Sequence, residues 1–183
     1  NTRISNATSP AGGARPVSPR ADFGMRVFIH SRVRRPGIAA RRLRQIVQET
    51  LRVERMPGRT EVSVVLVDDP TIRRLNRRFL AKDRATDVLS FPLAVGPRAS
   101  KREPGSAASN QRHRLLGEIV ISVDRAGRQA RAAGHSVRTE VALLAVHGVL
   151  HLTGYDDRFA SAALRMHRRE REILRALGED VEG

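Results

Sequence analysis

Residues 136 to 158 read SVRTEVALLAVHGVLHLTGYDDR, and the fold turns on this segment. From Val141 to Leu152 the only strongly polar side chains are His147 and His151, so the predicted helix is apolar nearly all round and belongs inside the molecule. The two histidines lie one helical turn apart, which sends both imidazoles from the same face about 6 Å apart along the axis. Buried ring nitrogens need partners, and a metal ion supplies one to both. Gly154 stands where a helix can stop in a left-handed turn, and Asp156 and Asp157 follow at once, where a reversed chain can return a carboxylate. The spacing H-x-x-x-H-x-x-G-x-x-D is one by which a helix, a glycine turn and a third ligand close on one metal. The segment is therefore read as a metal site of His147, His151 and Asp157, on a buried helix and the turn after it. Zinc peptidases of comparable spacing carry a glutamate general base beside the first histidine. Here that position is Gly148, so peptidase chemistry lacks its base.

Outward from this helix, strands and helices alternate. Arg26–Ser31 (RVFIHS) reads as a short strand, and a helix follows from Ile38 to about Val53, with Ala39, Leu43, Ile46, Val47 and Leu51 at helical spacing. Glu61–Val67 (EVSVVLV) is β-branched and strand-like. Asp69-Pro70 reads as an N-cap followed by proline at the first helical position, opening a helix to about Leu80. Asp87–Leu93 and Gly117–Val123 are two further strands, and helices are expected over Asp124–Ala133, Val137–Thr153 and Arg158–Leu177. The last carries Phe159, Ala163, Met166, Ile173, Leu174 and Leu177 on one stripe, with Gly178 as terminator. The pattern predicts an α/β (α+β) fold: a small mixed sheet of about four strands covered by about five helices. Helical crossovers between the first strands favour parallel pairing there. Residues 1–24 are rich in turn formers and lack apolar periodicity, and are expected to be a disordered extension ahead of one domain at 25–180. The patch GPRASKREPGSAASNQ at 96–111 is expected to be a flexible loop between two strands.

The 183 residues suit one domain, and 40% hydrophobic content is enough for a real core despite the charge. Basic residues number 34 against 19 acidic ones, a formal charge of +15. Only Lys82 and Lys101 are lysines; the rest are arginines, whose guanidinium fork matches phosphate oxygens. The surplus points to a polyanionic partner, with nucleic acid preferred over an anionic membrane because no basic amphipathic anchor helix is visible. Cysteine is absent, which excludes disulfides, thiolate metal sites and thiol nucleophiles and is compatible with a reducing compartment. No run of apolar residues is long enough to cross a bilayer, and no secretory h-region is seen at the start of the sequence.

HGVLHLTGYDD at 147–157 resembles the HGxLHLxGYDH signature of the YbeY-type rRNA maturation factors, bacterial metal-dependent endoribonucleases. LNRRFLAKDRATDVLSFP at Leu75–Pro92 is similar to that family's LNxxYRxKDxPTDVLSFP, and GEIVIS at Gly117–Ser122 to its GDIxIS. Gln129-Ala130, Gly134-His135-Ser136 and Glu140 match its QA…GHS…E run, and Met166 with Glu170 its closing helix. The resemblance implies a small α/β domain with a mixed sheet. It also implies one zinc ion held by His147, His151 and the residue at Asp157, a cytoplasmic location, and RNA as partner in the form of small-subunit rRNA and the ribosome.

The sequence departs from that pattern twice. The third ligand is usually histidine, and here it is Asp157, whose oxygen binds zinc at a similar distance of about 2.0–2.2 Å. A carboxylate lowers the charge of the site and makes harder metals such as manganese compatible with it. Asp156 matches the family's own aspartate and is read as a supporting or site-lining residue. Where the family has arginine after the aromatic residue, this chain has Leu80, so phosphate contacts would fall to Arg77, Arg78 or Arg84. The resemblance also suggests that Asp87 and Ser90 line the metal groove. Glu118 either faces the site or caps an edge. His30, His113 and His167 stand outside any motif. The favoured reading is a single-strand-specific endoribonuclease hydrolysing a phosphodiester. A non-catalytic ribosome-assembly or RNA-binding factor, with a structural or absent metal, is the alternative.

Overall fold

The computed structural model describes residues 24–93 and 114–179. The expected N-terminal extension, Gly24 apart, and the expected loop at 96–111 lie outside the described residues. The elements run β1 (Arg26–Ser31), α1 (Ala40–Val53), β2 (Thr60–Val67), α2 (Asp69–Leu80), β3 (Val88–Pro92), β4 (Arg114–Ser122), α3 (Val123–Ala133), α4 (Val137–Thr153) and α5 (Ala160–Ala176). The four strands form one mixed sheet in the order β1-β2-β4-β3. Pairing is parallel between β1 and β2 and between β2 and β4, and antiparallel between β3 and β4. The expected α/β architecture is thus realised, with the antiparallel strand at the edge.

The two-residue period of the strands sorts their side chains into two layers. Val62, Val64 and Leu66 of β2 and Ile119 and Ile121 of β4 face one way, into a core shared with α1, α4 and α5. Val67, Val120 and Leu89 face the other way and pack with Ile72 of α2 in a second cluster. Helix α4 lies at the centre of the larger core, packed against α1, α3, α5 and the β3–β4 side of the sheet. Val141, Ala142, Ala145, Val146, Val149 and Leu150 are all fully buried. Each large aliphatic side chain so buried contributes about 1.5–3 kcal/mol, so the position of this helix is strongly determined.

Local departures from expectation have local causes. The cap of α2 is Asp68, whose carboxylate accepts the Thr71 amide at 2.9 Å, so Pro70 takes the second helical position. Asp69 is already helical and its carboxylate accepts from Ser122 and Arg128 instead. Strand β4 begins at Arg114, three residues before the expected Gly117. Its register against β2 shifts between Glu61 and Val62, leaving Leu116 as the bulged residue. Gly117 lies inside the strand, paired with Val62 and Pro92, where a Cβ would meet the Phe91 carbonyl at 2.5 Å. Helix α5 begins at Ala160, two residues later than expected, because the Arg158 amide bonds to Asp156 in the preceding turn.

Gly148 lies where α4 packs closely on β4. A Cβ there would lie 2.7 Å from the Ile119 Cγ2 and 3.1 Å from its Cδ1, and Ile119 is itself fully buried. A glutamate at this position is therefore excluded by space, whatever chemistry it would offer. Gly148→Ala would gain about 1 kcal/mol of helix propensity but overpack the interface at a cost of about 1–3 kcal/mol. The expected outcome is a net loss of stability, read as a lower midpoint in urea unfolding at unchanged slope.

Candidate metal centre

Helix α4 ends at Gly154, which takes φ 105°. Its amide bonds to the His151 carbonyl at 3.1 Å and the Tyr155 amide to that of Leu150 at 3.0 Å, the paired closure of a helix on a left-handed residue. The chain reverses there and brings Asp157 back over the face that carries His147 and His151. The imidazole Nε2 atoms lie 3.0 Å apart. Asp157 Oδ2 lies 3.6 Å from Nε2 of His151 and 4.0 Å from that of His147. Ligands around a tetrahedral zinc at about 2.0–2.1 Å stand about 3.3 Å apart, so these three atoms are spaced as the corners of such a site.

The outer nitrogens orient the rings. His147 Nδ1 lies 2.7 Å from Glu170 Oε1, and His151 Nδ1 lies 3.1 Å from the Tyr155 carbonyl. A carbonyl oxygen and an ionised carboxylate only accept, so both Nδ1 atoms donate, and in the neutral form of the rings, the form that binds a metal, both Nε2 atoms present lone pairs. Two lone pairs facing each other at 3.0 Å repel; a cation between them and the aspartate converts that repulsion into coordination. The residues present fit a zinc ion by donor type and by spacing. The side chains are open to solvent on one side, 19% exposed for His147, 25% for His151 and 43% for Asp157, which leaves room for a further ligand.

Glu170 was not expected in this role. It is 3% exposed, and its second oxygen accepts from His167 Nδ1 at 2.9 Å. Burial works to raise its pKa, but the hydrogen bonds from His147 and His167 outweigh it and hold the carboxyl below its ordinary value. The sequence carried a signal for it: a carboxylate on the stripe of α5 that otherwise holds Met166, Ile173 and Leu174. His167, without a motif of its own, is brought to the centre by the same carboxylate.

A groove of 430 Å³ surrounds the three residues, and Leu80, Asp87, Ser90 and Phe91 are among those lining it. Ser90 reaches the Gly148 carbonyl at 3.4 Å. Asp87 is fully engaged, accepting from Gln129 and from the Val88 amide at 2.9 Å and from Thr86 at 3.0 Å. Burial alone would raise its pKa, yet these bonds hold the carboxyl below its usual range, so it ties β3 to α3 at the groove wall. Asp156 instead grips Arg158, which lowers its pKa to about 2. Glu118 does not line the groove. Nor do the three arginines: Arg77 and Arg84 line a neighbouring cleft, and Arg78 sits against the Phe79 ring.

Residues 30–178 match the family model described as Endoribonuclease YbeY. The chain belongs to the endoribonuclease YbeY family. The YbeY protein of Moorella thermoacetica is 44% identical over 138 residues, 74% of this chain and 85% of the relative. That of Geobacter metallireducens is 39% identical over 155 residues, 84% and 96% respectively. The solution structure of TM1509 from Thermotoga maritima shares the fold at a TM-score of 0.52 and 24% identity, covering 83% of this chain and 90% of that one. Within this YbeY-family chain, the conservative Glu170→Gln change is expected to weaken zinc affinity about 10- to 100-fold, and Asp157→Ala more. Competition with a chromophoric chelator measures both; affinities equal to the unmodified protein's would contradict the assignment.

Proposed function

We propose that the chain is a metal-dependent endoribonuclease that cuts single-stranded RNA, working in the cytoplasm on small-subunit rRNA during ribosome maturation and quality control. The observation that carries the chemistry is the convergence of two imidazole lone pairs and one carboxylate in an open groove. The family supports RNA as substrate, and a formal charge of +15 suits a polyanion. Among the described residues, no helix is long and apolar enough to cross a membrane.

A bound divalent ion supplies Lewis acidity to a phosphodiester oxygen or a water molecule. The chain's own residues do the rest. Glu170 and the Tyr155 carbonyl lock the two rings so that only Nε2 faces the groove. Asp157 adds one negative charge, which moderates the site's acidity compared with three neutral histidines. Residues of β3 wall one side of the groove, and the Leu80 side chain brings no charge to it.

Leu80 is also the observation that favours the second reading, a ribosome-assembly factor that binds RNA without cutting it. The expected outcome under the first reading is metal-dependent cleavage of single-stranded RNA by purified protein, reduced to background in His151→Ala while RNA affinity is kept. Binding with no cleavage at any metal concentration would support the assembly factor instead.

A further inference from the structure

Phe79, in the last turn of α2, is 56% exposed, and its neighbour Leu80 is 50% exposed. Its ring is not loose. It meets Phe91 edge-on, with centroids 5.1 Å apart and planes at 63°, and the Arg78 guanidinium lies 5.4 Å from its centroid. Phe91 in turn lines the histidine groove. A braced aromatic ring is thus held against a wall residue of the groove, beside Leu80, with more than half of its surface uncovered.

A second cleft of 760 Å³ is lined by α2 and by the loop that joins α2 to β3. Arg84 and Ala85 line this cleft, whereas Thr86 and Asp87, next in the chain, line the histidine groove. Arg73, Arg74 and Arg77 of α2 complete its basic wall, against Asp69 and Asp83. Arg73 is held by Asp83 through two bonds of 2.9 Å, while Arg77 stands 4.0 Å from the same carboxylate, too far for a hydrogen bond; Arg74, Arg77 and Arg84 therefore keep donors for phosphate. A basic cleft beside an exposed ring is the combination by which proteins hold unpaired nucleotides, cations tracking the backbone and the aromatic face taking a base. Charge selects the occupant: an apolar peptide would gain nothing from these guanidiniums.

We propose that Phe79 is a stacking shelf for an unpaired base, and that the strand continues from it into the cleft of Arg74, Arg77 and Arg84. This inference rests on RNA being the substrate and deepens that reading. It gives the enzyme a physical reason to prefer single strands, since a base stacked between its neighbours inside a duplex offers no free face to the ring.

The chain contains no tryptophan, so a Phe79→Trp variant carries a single reporter at the shelf. In EDTA, where the strand stays intact, short single-stranded RNA is expected to quench that emission and its duplex is not. Phe79→Ala should bind the single strand about tenfold more weakly, with the salt dependence unchanged. Arg77→Gln should lower the slope of log affinity against log salt by about 0.7, the value of one single-strand phosphate contact. Phe28→Ala, an exposed ring on β1 at the opposite edge of the sheet, controls for loss of apolar surface and should bind normally. Wild-type binding that survives Phe79→Ala unchanged, with no quenching in Phe79→Trp, would overturn the shelf and leave the RNA reading standing. Absence of RNA binding by the unmodified protein would remove both.

Discussion

Helix α4 has almost no solvent face, and that constraint governs the rest of the molecule. A helix surrounded by α1, α3, α5 and the sheet can carry polar side chains only where their hydrogen-bonding groups are met. The two histidines meet that demand on one side through Glu170 and the Tyr155 carbonyl. On the other side they face each other and the groove. The same burial that costs the imidazoles their water also orients them, so the geometry of the centre is set by packing more than by the loop that supplies its third member.

The sheet contributes by its closeness. Gly148 lets β4 approach α4 to within contact of Ile119, and Gly117 lets β3 and Leu152 approach β4. These contacts bring edge strand β3 alongside the histidines, where Ser90 and Phe91 form a wall of the groove. The position that bears the catalytic glutamate in zinc peptidases of comparable spacing is here a packing position. Space and chemistry agree on that residue, and under the proposed function the reactivity would come from a bound ion and from how the groove positions a phosphodiester.

Much of this was legible in the residues. The apolar run from Val141 to Leu152, the β-branched run EVSVVLV and the glycine turn each follow a short-range rule, and the elements they predict are present with ends moved by a residue or two. The ends moved for local reasons, as where Asp68 rather than Asp69 caps α2 and where the Asp156 turn delays α5. Strand order was not legible, because β3 joins the edge through pairing with β4 that no local pattern encodes. Of the candidate site residues, the three donors on α4 and its turn are brought together because helical spacing and a left-handed residue carry their geometry. Glu170 lies 23 residues from His147 and reaches it only through the packing of α5. The arginines failed to gather at the groove because surface charge carries no positional code, and they are found instead along α2 and its following loop.

Both imidazoles present Nδ1 to an acceptor, and under the proposed function Nε2 of each would meet one metal ion. Nitrogen-15 chemical shifts of His147 and His151, recorded on metal-free and zinc-loaded protein, test this arrangement most directly. Protonated Nδ1 on both rings in both states is expected, with zinc moving chiefly the Nε2 resonances. Zinc binding that shifts Nδ1 instead, or leaves both rings untouched, would contradict it.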